Sequence, residues 1–422
     1  MAEKLEAVER GELKKVMFFL PPRHGKSELT SGHFPAWYLG RNPEKRIIHS
    51  SYSATLSTKY SRQSRNLVDS KRYKMIFQTK LSDSIQTSDN WETVEGGGML
   101  ASGVGGSVTG QGADIFIIDD PVKNHEEAES EVYRAKVWEW YRSVVRTRLE
   151  PGASLILIMT RWHQQDLAGK LLEGQNDWEI VNLPAIAEGE NDQLGREEGE
   201  ALWTKRFDIK ALSDIKHDVG SRNWSSLYQG NPQDPETQII RREWINWYNG
   251  TLPPKTKRTA GIDTATSKKT TADNMAMVDV CKDTDNFLYV DDALCEKLSV
   301  SAFANHVVTQ HKVKKYTKIW LESNNAGEAV KQRIEEVARE NTVGVPIQAV
   351  ATSTDKVVRV MEYQPMIENG TMKFNRNNAK VVKLVDHLVA FDGTGGEVDD
   401  DVDGLGFAVK AHRKKEVRIT EI

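Results

Sequence analysis

Val16-Met17-Phe18-Phe19-Leu20-Pro21-Pro22-Arg23-His24-Gly25-Lys26-Ser27 opens on an apolar run and closes on a glycine, a lysine and a hydroxyl. Consecutive apolar residues ended by two prolines read as a strand buried on both faces, then a turn. A helical stretch from Glu28 toward Leu39 follows. Strand, tight loop and helix with Gly-Lys-Ser at the junction form a phosphate cradle of the Walker A kind. Backbone N–H groups of the loop face phosphates, the lysine reaches the β and γ phosphates, and the serine hydroxyl meets magnesium. Arg23, His24, Gly25, Lys26 and Ser27 are therefore the expected phosphate-binding residues. Leu20 stands where the full pattern has its first glycine, so the loop alone is also compatible with an ordinary strand-turn-helix junction.

The partner motif lies downstream. Ile115-Phe116-Ile117-Ile118-Asp119-Asp120 is a buried strand ending in two acids, the Walker B form, in which one acid serves the metal and the next poises water. Asp120 is an aspartate where glutamate is usual, so Glu126 and Glu127 stay open as alternative bases. Leu155 to Met159 is another buried strand, with Thr160 and Arg161 at its tip. A polar residue there can sense the γ-phosphate. Arg23, Arg142, Arg146, Arg148 and Arg161 are all candidates for an arginine finger. Arg46 to Ser51 reads as a neighbouring strand, Gly96 to Gly112 as glycine-rich turns, and Glu126 to Arg148 as one long amphipathic helix. Strands alternating with helices imply an α/β domain with a parallel sheet.

Length and composition bound the rest. The 422 residues suggest two or three domains. With 57 basic and 61 acidic side chains the net charge is only -4, so no global field points to nucleic acid or membrane. No apolar stretch is long enough to span a bilayer. Cys281 and Cys295 are too few for a disulfide framework, and a reducing, cytoplasmic compartment is expected. The first domain is expected over residues 1–183. A small helical linker or lid follows over 184–255, ending in Thr251-Leu252-Pro253-Pro254-Lys255, and a second domain occupies 256–422.

In the second domain, Arg258 to Ala265, Met275 to Val280 and Phe287 to Ala293 read as three consecutive strands. A helix, the strand Lys318 to Ser323, another helix and the strand Ile347 to Thr352 follow, giving a mixed sheet. Asp263 sits in the first strand and Glu322 at the end of the fourth. Asp399, Asp400 and Asp403 open a C-terminal helix on nearly one face. Acids on these three elements are the arrangement of an RNase H-like nuclease. Oxygen ligands of this kind hold two divalent metals roughly 4 Å apart for in-line attack on a phosphodiester, and suit magnesium or manganese.

With these motifs in view, the chain resembles the large terminase subunit of tailed bacteriophages. The resemblance is carried by PPRHGKS (Pro21 to Ser27), HSSYSATLS (His49 to Ser57), VTGQGADIFIIDDPVKNHEEA (Val108 to Ala128) and MTRWHQQDLAGKLL (Met159 to Leu172). GIDTA, WLESNNAG and DDDVDGL in the second half complete it. It implies an N-terminal P-loop ATPase of the ASCE type, a small helical linker and a C-terminal RNase H-like nuclease. The implied function is a motor that translocates double-stranded DNA into a procapsid and cuts the concatemer. By resemblance Lys26, Ser27 and Asp119 bind Mg-ATP, Asp120 is the base and Thr160 belongs to the coupling motif. Asp263, Glu322, Asp399, Asp400 and Asp403 match the metal-binding carboxylates, with Asp263, Glu322 and Asp400 carrying the cleavage. Asp401 falls where the family has an uncharged polar residue and is left out. The implied partners are double-stranded DNA, the portal protein, a small terminase subunit and further copies in a ring on the procapsid, with no membrane. The implied location is the host cytoplasm and, transiently, the portal vertex. One departure is visible: the family's adenine-holding segment lies upstream of the first strand, and only 20 residues precede Pro21. A cellular nucleotide-dependent nuclease or resolvase, or a non-catalytic scaffold, are the alternative readings.

Overall fold

In the computed structural model the chain divides into two compact units, Met1–Pro235 and Glu236–Ile422. The structure describes residues 1–106, 108, 110–174, 177–189, 192–232, 239–264, 273–323, 325–352, 354–391 and 400–412.

The first unit is built on eight strands: β1 (Lys15–Phe19), β2 (Arg46–Ser51), β3 (Leu81–Gln86), β4 (Asn90–Thr93), β5 (Gly98–Gly103), β6 (Ala113–Asp119), β7 (Leu149–Met159) and β8 (Glu179–Asn182). They lie in the order β3-β4-β5-β2-β6-β7-β1-β8. From β5 to β8 the neighbours run parallel, as expected. The β3–β4 and β4–β5 pairs are antiparallel, so the sheet is mixed at one edge. The reading of Gly96 to Gly112 as turns missed β5, whose Gly98 runs so close to the Trp91 carbonyl that a Cβ would lie 2.2 Å from it. Glycine here serves strand pairing, not a turn.

The central strands lack polar alternation because both faces are covered. Val16, Phe18, Ile115, Ile117, Ile156 and Ile158 enter one core. Met17, Phe19, Phe116, Ile118, Leu157 and Met159 enter the other. Each such side chain contributes about 1.5–3 kcal/mol on burial. The helix expected over Glu126 to Arg148 is interrupted. Ser130 is extended and caps Glu131–Trp140 by accepting from the Tyr133 N–H, which separates that helix from His125–Glu129. Residues between 184 and 232 build a small core of their own from Ala185, Ala201, Leu212 and Trp224.

The second unit holds β9 (Asn246–Tyr248), β10 (Lys257–Thr264), β11 (Asp273–Lys282), β12 (Leu288–Leu298), β13 (Lys318–Glu322), β14 (Ile347–Val350) and β15 (Met372–Asn375). The order is β14-β13-β10-β11-β12-β15-β9, antiparallel through β10-β11-β12 and parallel elsewhere. This is the expected mixed sheet, extended by two short strands. Part of the expected linker is absorbed into it: Asn246–Tyr248 pairs with β15, and Ile239, Ile240 and Ile245 are buried in this unit's core. Three-residue strands carry too little periodicity to be read from sequence.

Helix Asp400–Ala411 lies directly on β10. Thr259 Oγ1 donates to the Ala408 carbonyl at 2.8 Å, and Gly261 faces Gly404. A Cβ on Gly261 would stand 2.0 Å from the Gly404 oxygen and 2.3 Å from the Ala408 nitrogen. Both are backbone atoms, so relief requires moving the helix. Gly261→Ala is expected to destabilise this unit by roughly 1–3 kcal/mol, read as a lowered urea midpoint; an unchanged midpoint would show that the helix can retreat freely.

Candidate functional site

Four adjacent parallel strands converge on the first site. β1 delivers the loop from Pro21 to Ser27, β7 delivers Thr160, β6 delivers Asp119 and Asp120, and β2 delivers His49. The loop is turned by left-handed residues at Arg23 (φ 60°) and Gly25 (φ 82°). Lys26 is buried. Its Nζ donates to Thr160 Oγ1 at 2.9 Å and stands 3.0 Å from Asp120 Oδ2. Ser27 Oγ donates to Asp119 Oδ1 at 2.8 Å, and Ser31 Oγ to Oδ2 at 2.7 Å. His49, itself fixed by Ser57, places Nε2 3.8 Å from Asp119 Oδ2. The Thr160 N–H donates to Asp120 Oδ1 at 2.8 Å.

These contacts set the two acids apart. Burial alone would raise Asp119, but His49, Ser31 and Lys26 outweigh it and hold the carboxyl below its ordinary value. Asp120 is raised, by burial first and then by Asp119, with Lys26 opposing. One acid is thus kept ionised and a neighbour is poised to take a proton, the division that metal binding and general base catalysis need. Asp120 is also in the left-handed region, with φ 44°.

The remaining loop residues differ in role. Arg23 is exposed. His24 is buried, with Nδ1 2.9 Å from the Pro22 carbonyl oxygen and its ring stacked on Phe207 at 4.7 Å. Arg206 covers both Phe207 and Trp203. Sequence reading singled out His24 for the loop backbone and missed this stack. Among the arginine-finger candidates, Arg161 is committed: it pairs with Asp166 at 2.8 Å and lies over the Phe19 ring. Arg148 donates to the Val108 carbonyl, while Arg142 and Arg146 are exposed. Of the alternative bases, Glu126 is exposed, and the Glu127 carboxylate accepts from the Lys123 N–H while its backbone N–H donates to the capping Asn124 Oδ1.

The second site is in the other unit. β10 and β13 are in register through Ile262 and Leu321, which sets Asp263 and Glu322 level on adjacent strands. Asp400 and Asp403 project from the first turn of the helix packed on β10. Asp399 lies outside the described residues. Asp263 is 5% exposed, and its carboxyl is pushed up to about 8, by burial first and then by Asp403, Glu322 and Asp400. Mutual repulsion among oxygen donors with that effect is the mark of a site suited to a hard divalent cation. Among the described residues no group of three such side chains is already drawn together as a metal site. Asp403 is instead paired: Arg359 donates to both of its oxygens, at 2.8 and 2.7 Å. Burial would depress that guanidinium, but Asp403, Glu322 and Asp263 hold it above its ordinary value. Asp401, left out of the expected ligands, pairs with His387 Nδ1 at 2.7 Å. Arg359, His49 and Ser31 were not found from sequence. Lys356 and Arg359, one helical turn apart on an otherwise apolar helix, were the available signal.

Two family models match the chain: the N-terminal part of the terminase large subunit, T4likevirus-type, over residues 17–247, and the terminase RNaseH-like domain over residues 260–411. Among solved structures, the large terminase of the thermophilic bacteriophage D6E covers 97% of this chain and 98% of its own, at 10% identity and a TM-score of 0.52. The same protein in complex with ADP matches over the same shares, at 9% identity and a TM-score of 0.49. The large terminase nuclease of the thermophilic phage G20c covers 42% of this chain and 98% of its own, at 11% identity and a TM-score of 0.31. No curated protein matches the sequence.

The raised Asp263 carboxyl gives a pH dependence. With an ordinary value near 4 in the unfolded chain and about 8 when folded, the folded state holds an extra proton between those limits. Stability in EDTA should therefore fall as pH rises from about 4 to about 8. Thermal melting across that range checks it, and Asp263→Asn should flatten the slope. An equal slope in both proteins would place the proton elsewhere.

Proposed function

This chain belongs to the terminase large-subunit family, and we propose on that premise how its two acidic centres divide the work. It is a viral genome-packaging motor subunit with ATPase and endonuclease activity. The observation that carries the residue-level reading is the convergence of Lys26, Ser27, Asp119, Asp120 and Thr160 from adjacent strand ends in one unit. The cluster of Asp263, Glu322, Asp400 and Asp403 in the other unit accompanies it.

In the ATPase unit, ATP binds as substrate with its phosphates at the backbone of Arg23, His24 and Gly25. Lys26 turns from Asp120 to the β and γ phosphates. Ser27 and Asp119 hold magnesium, which supplies charge neutralisation at the phosphates. Losing its contact with Lys26, Asp120 becomes the acceptor for the proton of the attacking water. Thr160 loses the same partner and reports the change to β7. Residues 184–232, the part of the expected linker that lies in this unit, carry it onward, with the stack of His24 on Phe207 as a contact between loop and linker.

In the nuclease unit, Asp263, Glu322, Asp400 and Asp403 hold divalent ions, with Asp399 expected to join them. Magnesium or manganese bound there supplies Lewis-acid activation for phosphodiester cleavage. The partners of this reading are double-stranded DNA, the portal protein, a small terminase subunit and further copies in a ring. The place of action is the host cytoplasm and the portal vertex of the procapsid. Among the described residues no helix is long and apolar enough to cross a membrane.

The assignments are tested separately. Lys26→Ala should abolish ATP binding and turnover. Asp120→Ala should keep ATP binding while turnover falls by roughly 10²–10⁴-fold; unchanged turnover would remove Asp120 from the role. Plasmid cleavage in magnesium or manganese should disappear in Asp263→Ala, and persistent cutting would overturn the metal-site assignment.

A further inference from the structure

The nuclease centre contains a positive charge that the cleavage chemistry does not use. Arg359 is 7% exposed. Its Nε donates to Asp403 Oδ1 at 2.8 Å, its Nη2 to Oδ2 at 2.7 Å, and its Nη1 to the Thr354 carbonyl at 2.8 Å. Lys356, one turn earlier on the same helix, has its Nζ 3.4 Å from Asp403 Oδ2. Both oxygens of Asp403 are therefore engaged by a guanidinium that the backbone itself anchors.

A forked pair of this kind is among the stronger charge-assisted contacts. It also leaves a positive charge where a divalent ion bound to Asp403 would have to sit, and like charges at such distances repel strongly away from bulk water. Asp263 and Glu322 stand level across β10 and β13, with Asp400 on the first turn of the helix above them. Asp403, on the same first turn, is the acid drawn toward the arginine. Among the described residues no three acids are already gathered as a metal site.

Resting on the assignment of these four acids as metal ligands, we propose that Arg359 is a positioning residue that stands in for the second divalent ion. The resting centre then takes one ion, which draws Asp263, Glu322 and Asp400 together around it. A second ion enters only when Asp403 leaves Arg359. Cleavage that needs both ions is thereby restrained within the chain, and whatever shifts the helix Lys356–Met361 releases it.

The test is calorimetric titration of the full chain with Mn²⁺ in the absence of nucleotide, run beside plasmid cleavage. One ion per chain is expected for the wild type, two for Arg359→Gln, and one again for Arg359→Lys, which keeps the charge. The Mn²⁺ concentration for half-maximal cleavage should drop about tenfold or more in Arg359→Gln, the scale on which residues behind metal ligands act. Two ions in the wild type, or one in both wild type and Arg359→Gln, overturns the proposal and leaves the metal-site assignment standing. No ion in the wild type, indistinguishable from Asp263→Asn, overturns that assignment instead. Should Arg359→Gln fail to fold by thermal melting, the wild-type count alone decides between one ion, as expected, and two.

Discussion

A carboxylate taken out of water must be met by hydrogen-bond donors, by a cation or by a proton. Both centres of this protein are organised around that requirement. Asp119 is met by two serine hydroxyls and His49, Asp120 by Lys26 and the Thr160 N–H, and Asp403 by Arg359. Asp263 accepts from the Thr264 N–H, and burial with its acidic neighbours pushes its carboxyl up to about 8, so that it favours a proton. In each centre a charge is held in a low-dielectric place by a partner that binding of the reactants would replace.

The two units reach this condition by the same geometric route. Parallel strands end level, so residues at their C-terminal tips are brought side by side without any long loop having to be ordered. In the first unit this unites residues from elements far apart in sequence, β1, β6 and β7, at one site. In the second, β10 and β13 do the same for Asp263 and Glu322, and a helix laid close on β10 brings Asp400 and Asp403 over them. The close approach at Gly261 and Gly404 makes this possible, since any side chain on Gly261 would hold the helix away from the strand ends.

Much of this was legible in the sequence because buried parallel strands announce themselves. The runs VMFFL, IFIID and LILIM are apolar on both faces, each leads directly into residues of the site, and each is a strand in the structure. The edge strand β3, its neighbour β4 and the three-residue β9 were not legible, being short and partly polar. Ser31 and His49 were also missed. Ser31 donates to Asp119 from a helix and His49 stands beside it from a strand interior, where nothing in residue type separates a functional partner from an ordinary buried polar group. Arg359 escaped for a similar reason: a lone arginine on a short apolar helix has meaning only once Asp403 is known to face it.

The left-handed backbone of Asp120 has a consequence for the length of the acid it carries. Few residues other than glycine adopt a positive φ readily, and aspartate and asparagine are the main exceptions. A glutamate at this corner would gain reach but lose the short side chain that tolerates the turn. The corner that joins β6 to the following loop thus favours the shorter acid on backbone grounds alone, before any chemistry is asked of it.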